Sequence, residues 1–213
     1  QDSGGQLNGG VDRTAAQTFK INVLAVNDAP YFTPGSDQEV EEDSGAHSVP
    51  GWATGINTGA FNETAKNVSF TVSTNNDALF SVLPAVSPNG TLSYTLAPNA
   101  YGPAEVTVVI VDDGGTEHGG IDTGTSAKFN INVIGINDAP SFVPGADHTS
   151  NEDQGLQTVT GWATNINAGP ANESTQTLTF TVTNSNNALF SRQPSIDSSG
   201  TLTYQAAPDM RGT

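Results

Sequence analysis

An internal repeat of 110 residues constrains the fold of this 213-residue chain more than any other feature. Residues 51–54 (Gly-Trp-Ala-Thr) recur without gaps at 161–164, and residues 27–30 (Asn-Asp-Ala-Pro) recur at 137–140. A fixed period of this length predicts one structural unit that is copied head to tail.

The offset divides the chain into three predicted parts. Residues 1–28 are predicted to be the C-terminal end of a preceding repeat, residues 29–138 a complete repeat, and residues 139–213 the N-terminal part of a following repeat. We refer below to the complete repeat and the third unit in this sense. Both ends of the chain are expected to cut through a domain.

Apolar residues alternate with polar ones within each unit, which is the period of β-strands. Residues 106–111 are more continuously apolar, and they predict a central strand that is covered on both faces. Asn89-Gly90 predicts a tight hairpin turn because both residues tolerate positive φ. No segment predicts a helix. The alternating sets that predict one buried face each are Phe19, Ile21 and Val23; Val68, Phe70 and Val72; and Leu92, Tyr94 and Leu96.

About seven short strands per unit predict an all-β fold, namely tandem immunoglobulin-like or cadherin-like antiparallel β-sandwich repeats. A closed barrel is the alternative. One tryptophan per unit, Trp52 and its copy Trp162, is predicted to fill the core. The alternative is an exposed platform on which sugars stack. Leu79, Phe80 and their copies Leu189 and Phe190 are further core candidates.

Charge and composition exclude several classes of function. The formal net charge of −16 argues against nucleic acid or an anionic membrane as a partner, and it favours cations. No run of 18 apolar residues predicts a membrane span. The three histidines, His47, His118 and His148, do not recur at the repeat offset, and no nucleophile or nucleotide motif is present, so the sequence predicts no enzyme.

Acidic residues cluster at three places where a strand ends or a unit begins. They lie in the linker at 27–28, copied at 137–138; early in each unit at 41–43, copied at 151–153; and after the predicted central strand at 112–113. Calcium binds about six to eight hard oxygen ligands, and a junction between units brings such loops together. The alternative is that these residues are solvated turn formers.

Residues 26–32 (Val-Asn-Asp-Ala-Pro-Tyr-Phe) resemble the interdomain linker of cadherins. The order of strand, acidic-glycine loop, last strand and linker is similar to that of the cadherin-like repeats of giant bacterial surface adhesins, over the whole chain. The resemblance implies calcium bound at the junctions. It assigns Asn27, Asp28 and Asp113, with Asp112 beside it, to the first junction, and Glu42, Asp43, Asn137 and Asp138 to the second. Glu152 and Asp153, the copies of Glu42 and Asp43, are further candidate metal ligands.

Two departures from the cadherin pattern reduce the expected number of ligands. Ala25 and Gly135 stand where the cadherin linker has another aspartate, and no Asp-Arg-Glu or Asp-x-Asp element is present. We therefore expect a dissociation constant of about 10⁻⁴ to 10⁻³ M, as in extracellular modules.

The sequence thus predicts a structural or adhesive module, extracellular or at the cell surface, that acts as a calcium-stiffened spacer or fibre unit. Its expected partners are neighbouring repeats. Two alternatives stay open: a module that binds glycans or a cell surface, and a filament subunit that exchanges a strand with copies of itself.

Overall fold

The computed structural model describes residues 3–11, 13–63 and 66–213. Within these ranges the chain consists of β-strands and turns, and its helical segments are all single 3₁₀ turns. No described helix is long and apolar enough to cross a membrane. The 3₁₀ turns are Leu7–Gly9, Phe61–Glu63, Asp77–Leu79, Glu117–Gly119, Ala171–Glu173 and Asn187–Leu189.

The complete repeat is a two-layer β-sandwich. One sheet has the order β2-β9-β8-β5, in which β2 is parallel to β9 and the other pairs are antiparallel. The second sheet is antiparallel with the order β3-β7-β6, and β1 pairs with β4. The strands are β1 (Tyr31–Thr33), β2 (Gln38–Glu41), β3 (Ala46–Val49), β4 (Thr54–Asn57), β5 (Val68–Thr74), β6 (Phe80–Val86), β7 (Leu92–Leu96), β8 (Gly102–Asp112) and β9 (Ala127–Ile134).

The third unit repeats the β1-β4 pair and the three-stranded sheet of this architecture at the predicted offset. Its strands pair as β10-β12 and β11-β14-β13, which matches β1-β4 and β3-β7-β6 of the complete repeat. The predicted class, tandem cadherin-like (immunoglobulin-like) antiparallel sandwich repeats of 110 residues, is therefore confirmed, while the bounds of the domains stay a prediction. The strands are β10 (Ser141–Val143), β11 (Gln157–Val159), β12 (Thr164–Asn167), β13 (Phe190–Ile196) and β14 (Leu202–Ala206).

Trp52 lies in the core of the complete repeat, as predicted. Its side chain is 3% exposed, its ring centroid is 4.4 Å from that of Phe129, and its indole N–H donates a hydrogen bond to the Ser36 carbonyl at 3.1 Å. Leu79 and Phe80 are also buried. Trp52 therefore presents no face on which a sugar could stack.

The prediction for residues 106–111 is half right. They lie in β8, the longest strand, between β9 and β5. Val106, Val108 and Ile110 are fully buried, whereas Val109 and Val111 on the other face are only half-buried. The strand is central in its sheet, but the second sheet of the sandwich covers it on one face only.

Gly90 shows why the hairpin between β6 and β7 needs glycine. Its φ is +84°, and a Cβ built on it would lie 2.0 Å from the Ala53 carbonyl oxygen. The Ala53 N–H in turn donates to the Gly90 carbonyl at 2.9 Å. The turn therefore docks directly on the chain beside Trp52.

The strand predicted at Phe19, Ile21 and Val23 is wrong for the described structure. These residues form no strand, and their side chains are 83%, 77% and 90% exposed. Their copies in β9 are buried between β2 and β8. Among the described residues, no strand pairs with residues 19–23.

Candidate metal site at the junctions

The first junction is formed by the linker residues Asn27 and Asp28 and the loops of the complete repeat that they contact. Asn27 is buried, and its Nδ2 donates to Asp112 Oδ1 at 2.9 Å and to the Ile121 carbonyl at 2.8 Å. The Ile121 N–H donates to the Asn27 carbonyl at 2.9 Å. The linker asparagine is thus fixed in the repeat that follows it.

A glycine makes room for this asparagine. A Cβ built on Gly114 would lie 2.0 Å from Asn27 Oδ1. The acidic-glycine loop after β8 therefore has a steric role, because any larger residue at this position would expel the linker amide.

Asp112 and Asp113 differ in their surroundings, although both were predicted to be ligands. Asp112 Oδ1 also accepts from the Gly114 N–H at 2.7 Å, while Asp112 Oδ2 is buried without a hydrogen-bond partner. Both Asp113 oxygens accept from Asn67, from its backbone N–H at 2.9 Å and its side-chain amide at 2.8 Å. These hydrogen bonds lower the pKa of Asp113. The structure thus brings Asp112, rather than Asp113, to Asn27.

A buried glutamate that the sequence prediction missed completes the first junction. Glu63 Oε1 accepts from the Asp28 N–H at 3.1 Å and from Lys66 Nζ at 2.6 Å, and Glu63 Oε2 accepts from the Ala60 N–H at 3.0 Å. Lys66 also donates to Asn27 Oδ1. The hydrogen bond from Lys66, followed by that from Ala60, lowers the pKa of Glu63. An ammonium group therefore lies between the linker and a buried carboxylate.

The second junction contains the linker residues Asn137 and Asp138, and Glu42 reaches it from the complete repeat. Glu42 is buried, and its Oε1 accepts from the Ile136 N–H at 2.7 Å. Its Oε2 accepts from Asn172 Nδ2 at 3.3 Å, although these two residues are 130 positions apart. Glu42 therefore contacts the third unit directly.

Three buried oxygens at the second junction have no hydrogen-bond partner. They are Asp138 Oδ2, Asn172 Oδ1 and Glu173 Oε2. Glu173 is 6% exposed, and its other oxygen accepts from the Asp138 N–H at 2.8 Å. A desolvated carboxylate oxygen without a partner is costly in free energy, so this cluster favours a cation.

The other predicted ligands are placed elsewhere or stay exposed. Asp43 and Asp153 have φ of +58° and +59°, and their carboxylates accept from the backbone N–H of Asn99 at 2.8 Å and of Asp209 at 3.2 Å. Each carboxylate therefore joins its own turn to the turn that follows β7 or β14. Glu152, the copy of Glu42, is exposed. Their assignment as ligands stays a prediction.

The described residues contain no group of three or more His, Cys, Asp or Glu side chains already close enough to hold a metal ion. The second junction is instead a set of two acidic side chains and one amide from the linker and one 3₁₀ turn, beside Glu42. The sequence contained a signal for the missed residues, because Asn62-Glu63 recurs as Asn172-Glu173 at the repeat offset.

No family model matches the chain, and no curated protein matches it. Among solved structures, the chain is similar to the human Desmocollin-1 ectodomain, with 16% sequence identity and a TM-score of 0.42. The match covers 86% of this chain but only 35% of that one. The fold assignment above rests on the strand pairing and not on this likeness.

Proposed function

We propose that the chain is part of an extracellular structural or adhesive rod, in which sandwich repeats act as spacers and calcium stiffens the junctions. One observation carries the proposal: the buried, unpartnered oxygens of Asp138, Asn172 and Glu173 at the second junction. Carboxylate and amide oxygens are the ligands that calcium prefers.

The residues at this junction come from three successive parts of the chain. Glu42 belongs to the complete repeat, Asp138 to the linker, and Asn172 and Glu173 to the third unit. A cation held by all of them would cross-link two repeats and restrict their relative rotation. The role of the protein is to carry these oxygens on loops that rigid sandwiches hold in place.

The charge of the chain supports a location where calcium is abundant. A net charge of −16 keeps neighbouring rods apart, and a set with few carboxylates binds calcium weakly, on the order of 10⁻⁴ to 10⁻³ M. Such affinity is useful only at the calcium concentrations found outside cells. Neighbouring repeats, and through them the surface that the rod contacts, are the partners we propose.

The test is a calcium titration of the intact chain, followed by thermal unfolding and small-angle scattering. At 10 mM calcium, a dissociation constant of about 10⁻⁴ to 10⁻³ M corresponds to about 1.4 to 2.7 kcal/mol of stabilisation. Glu173→Gln should abolish this gain, whereas Glu105→Gln, which changes an exposed glutamate paired with Lys128, should keep it. Equal melting temperature and equal dimensions in calcium and in chelator would contradict the proposal.

A fibre subunit is the second candidate function. The exposed apolar set Phe19, Ile21 and Val23 could pair as an added strand with another copy of the chain, because added strands use backbone hydrogen bonds and alternating side chains. Sedimentation of the chain and of Ile21→Asp tests it. A concentration-dependent polymer that Ile21→Asp dissolves would support it, and a monomer at all concentrations would refute it.

A further inference from the structure

The two junctions are copies of each other, and one contact is the same in both. The linker aspartate donates its backbone N–H to a buried glutamate, from Asp28 to Glu63 at 3.1 Å and from Asp138 to Glu173 at 2.8 Å. Each glutamate lies in the 3₁₀ turn that follows the second strand of the β1-β4 or β10-β12 pair. The junctions can therefore be compared residue by residue.

One difference between the copies is the loss of a backbone donor. Ala60 donates its N–H to Glu63 Oε2 at 3.0 Å. Its counterpart 110 residues later is Pro170, which has no N–H. Glu173 Oε2 accordingly has no hydrogen-bond partner.

The other difference is the loss of a positive charge. Lys66 donates to Glu63 Oε1 at 2.6 Å and also to Asn27 Oδ1, so its ammonium lies between the linker and the buried acid. Its counterpart is the neutral Gln176, which donates to Asn137 Oδ1 at 2.9 Å. The amide keeps the contact with the linker but supplies no charge to Glu173.

The effect of the lost backbone donor is visible at the glutamate itself. Both carboxylate oxygens of Glu63 are hydrogen-bonded, whereas Glu173 Oε2 is buried without a partner. The second junction also holds buried, unpartnered oxygens of Asp138 and Asn172, whose copies Asp28 and Asn62 are exposed, and the first holds that of Asp112. Burial of anionic oxygens requires compensation by a cation or by donors.

We propose that Lys66 is a tethered cation that takes the place of a divalent ion at the first junction, whereas the second junction depends on an ion from solution. This inference rests on the proposed function, since it concerns the same junction oxygens. The residue three positions after the junction glutamate is lysine in one copy and glutamine in the other. This residue then decides whether a junction responds to hard divalent cations such as calcium. The array combines junctions of both kinds.

The test exchanges these two residues in the intact chain. Calcium binding is measured by isothermal titration calorimetry, and calcium-dependent stability by thermal unfolding. Gln176→Lys should weaken calcium binding by about tenfold or more, because it adds a positive charge beside the ligands. Lys66→Gln should add binding, seen as a higher stoichiometry and a larger rise of the melting temperature in calcium than in the unsubstituted chain.

Two variants control for the change of charge alone. Lys128→Gln removes a charge from an exposed ion pair with Glu105, and Thr183→Lys adds one at an exposed position of the third unit. Neither should change the calcium response. If Lys66→Gln is too unstable to titrate without calcium, recovery of its native circular dichroism on addition of calcium supports the inference.

The outcomes separate the two proposals. If the unsubstituted chain binds calcium but Gln176→Lys binds it equally well, the tethered-cation inference is wrong and the calcium-stiffened spacer stands. If neither the unsubstituted chain nor Lys66→Gln responds to calcium, the spacer mechanism itself is refuted.

Discussion

Asn27→Ala should destabilise the complete repeat strongly, whereas the equivalent change Asn137→Ala should have little effect. The two asparagines occupy the same position in successive linkers. Asn27 is buried against Asp112 and the Ile121 carbonyl. Asn137 is exposed, donates to the carbonyl of its neighbour Asp138, and accepts one exposed hydrogen bond from Gln176. The same substitution therefore removes different interactions at the two sites.

The magnitude follows from the hydrogen bonds that alanine cannot make. A hydrogen bond to a charged group contributes about 1.5 to 3 kcal/mol, and one to a neutral carbonyl about 1 kcal/mol. Loss of the bonds at 2.9 Å to Asp112 and at 2.8 Å to Ile121 should therefore lower the free energy of unfolding by about 3 kcal/mol. For the exposed Asn137 we expect less than about 0.5 kcal/mol.

Urea unfolding followed by tryptophan fluorescence measures this difference. A Trp162→Phe background restricts the signal to Trp52, which lies in the core of the complete repeat. With a slope of about 1 to 3 kcal/mol per molar urea, Asn27→Ala should lower the midpoint by about 1 to 3 M. Equal midpoints for Asn27→Ala and Asn137→Ala would refute the reasoning that the linker amide is docked on the repeat.

Gly90→Ala should destabilise the complete repeat by more than about 2 kcal/mol, because a Cβ would meet the Ala53 carbonyl at 2.0 Å and would add the cost of a left-handed backbone. Gly51 also has a positive φ, but a Cβ built on it would meet no atom within 4 Å, so Gly51→Ala should lower the free energy of unfolding by only about 1 kcal/mol. Equal losses for the two variants in urea unfolding would contradict the steric argument. Hydrogen bonds from the Ser199 hydroxyl and the Thr201 N–H lower the pKa of Asp197 below its ordinary value of 3.8. The ionised carboxylate therefore stabilises the folded state fully above pH 3.8, and this stabilisation is lost as the pH falls through the lowered pKa. Ser199→Ala should raise the pKa of Asp197 towards 3.8 in an NMR titration, and an unchanged pKa would show that the hydroxyl has no such effect.

The repeat and the strand periods predicted most of the fold. Leu92, Tyr94 and Leu96 alternate in sequence and are buried in β7, because one face of an antiparallel sheet packs on the core. Phe19, Ile21 and Val23 have the same pattern but form no strand. Alternation reports which face would be buried, and it says nothing about whether partner strands are present.

The candidate site was harder to predict, because its chemistry depends on burial. Asp43 and Glu42 are adjacent acidic residues, yet Asp43 accepts from the Asn99 N–H within its own repeat and Glu42 contacts Asn172 of the third unit. Glu63 recurs as Glu173, but recurrence alone does not distinguish a buried glutamate from a solvated one. Only the structure shows that it is buried and receives the linker N–H.

The contacts at the junctions fall into two kinds with different consequences for the rod. The docking of Asn27 on Asp112 and Ile121 fixes a linker to the repeat that follows it through hydrogen bonds of the chain itself. The contact of Glu42 with Asn172 joins a repeat to the next one, and its amide-to-carboxylate distance of 3.3 Å is long for a charged hydrogen bond. An ion that binds Glu42 together with Glu173 would act on this second, weaker contact. Calcium would then restrict rotation between repeats, and the stabilisation that it adds would arise at the junction.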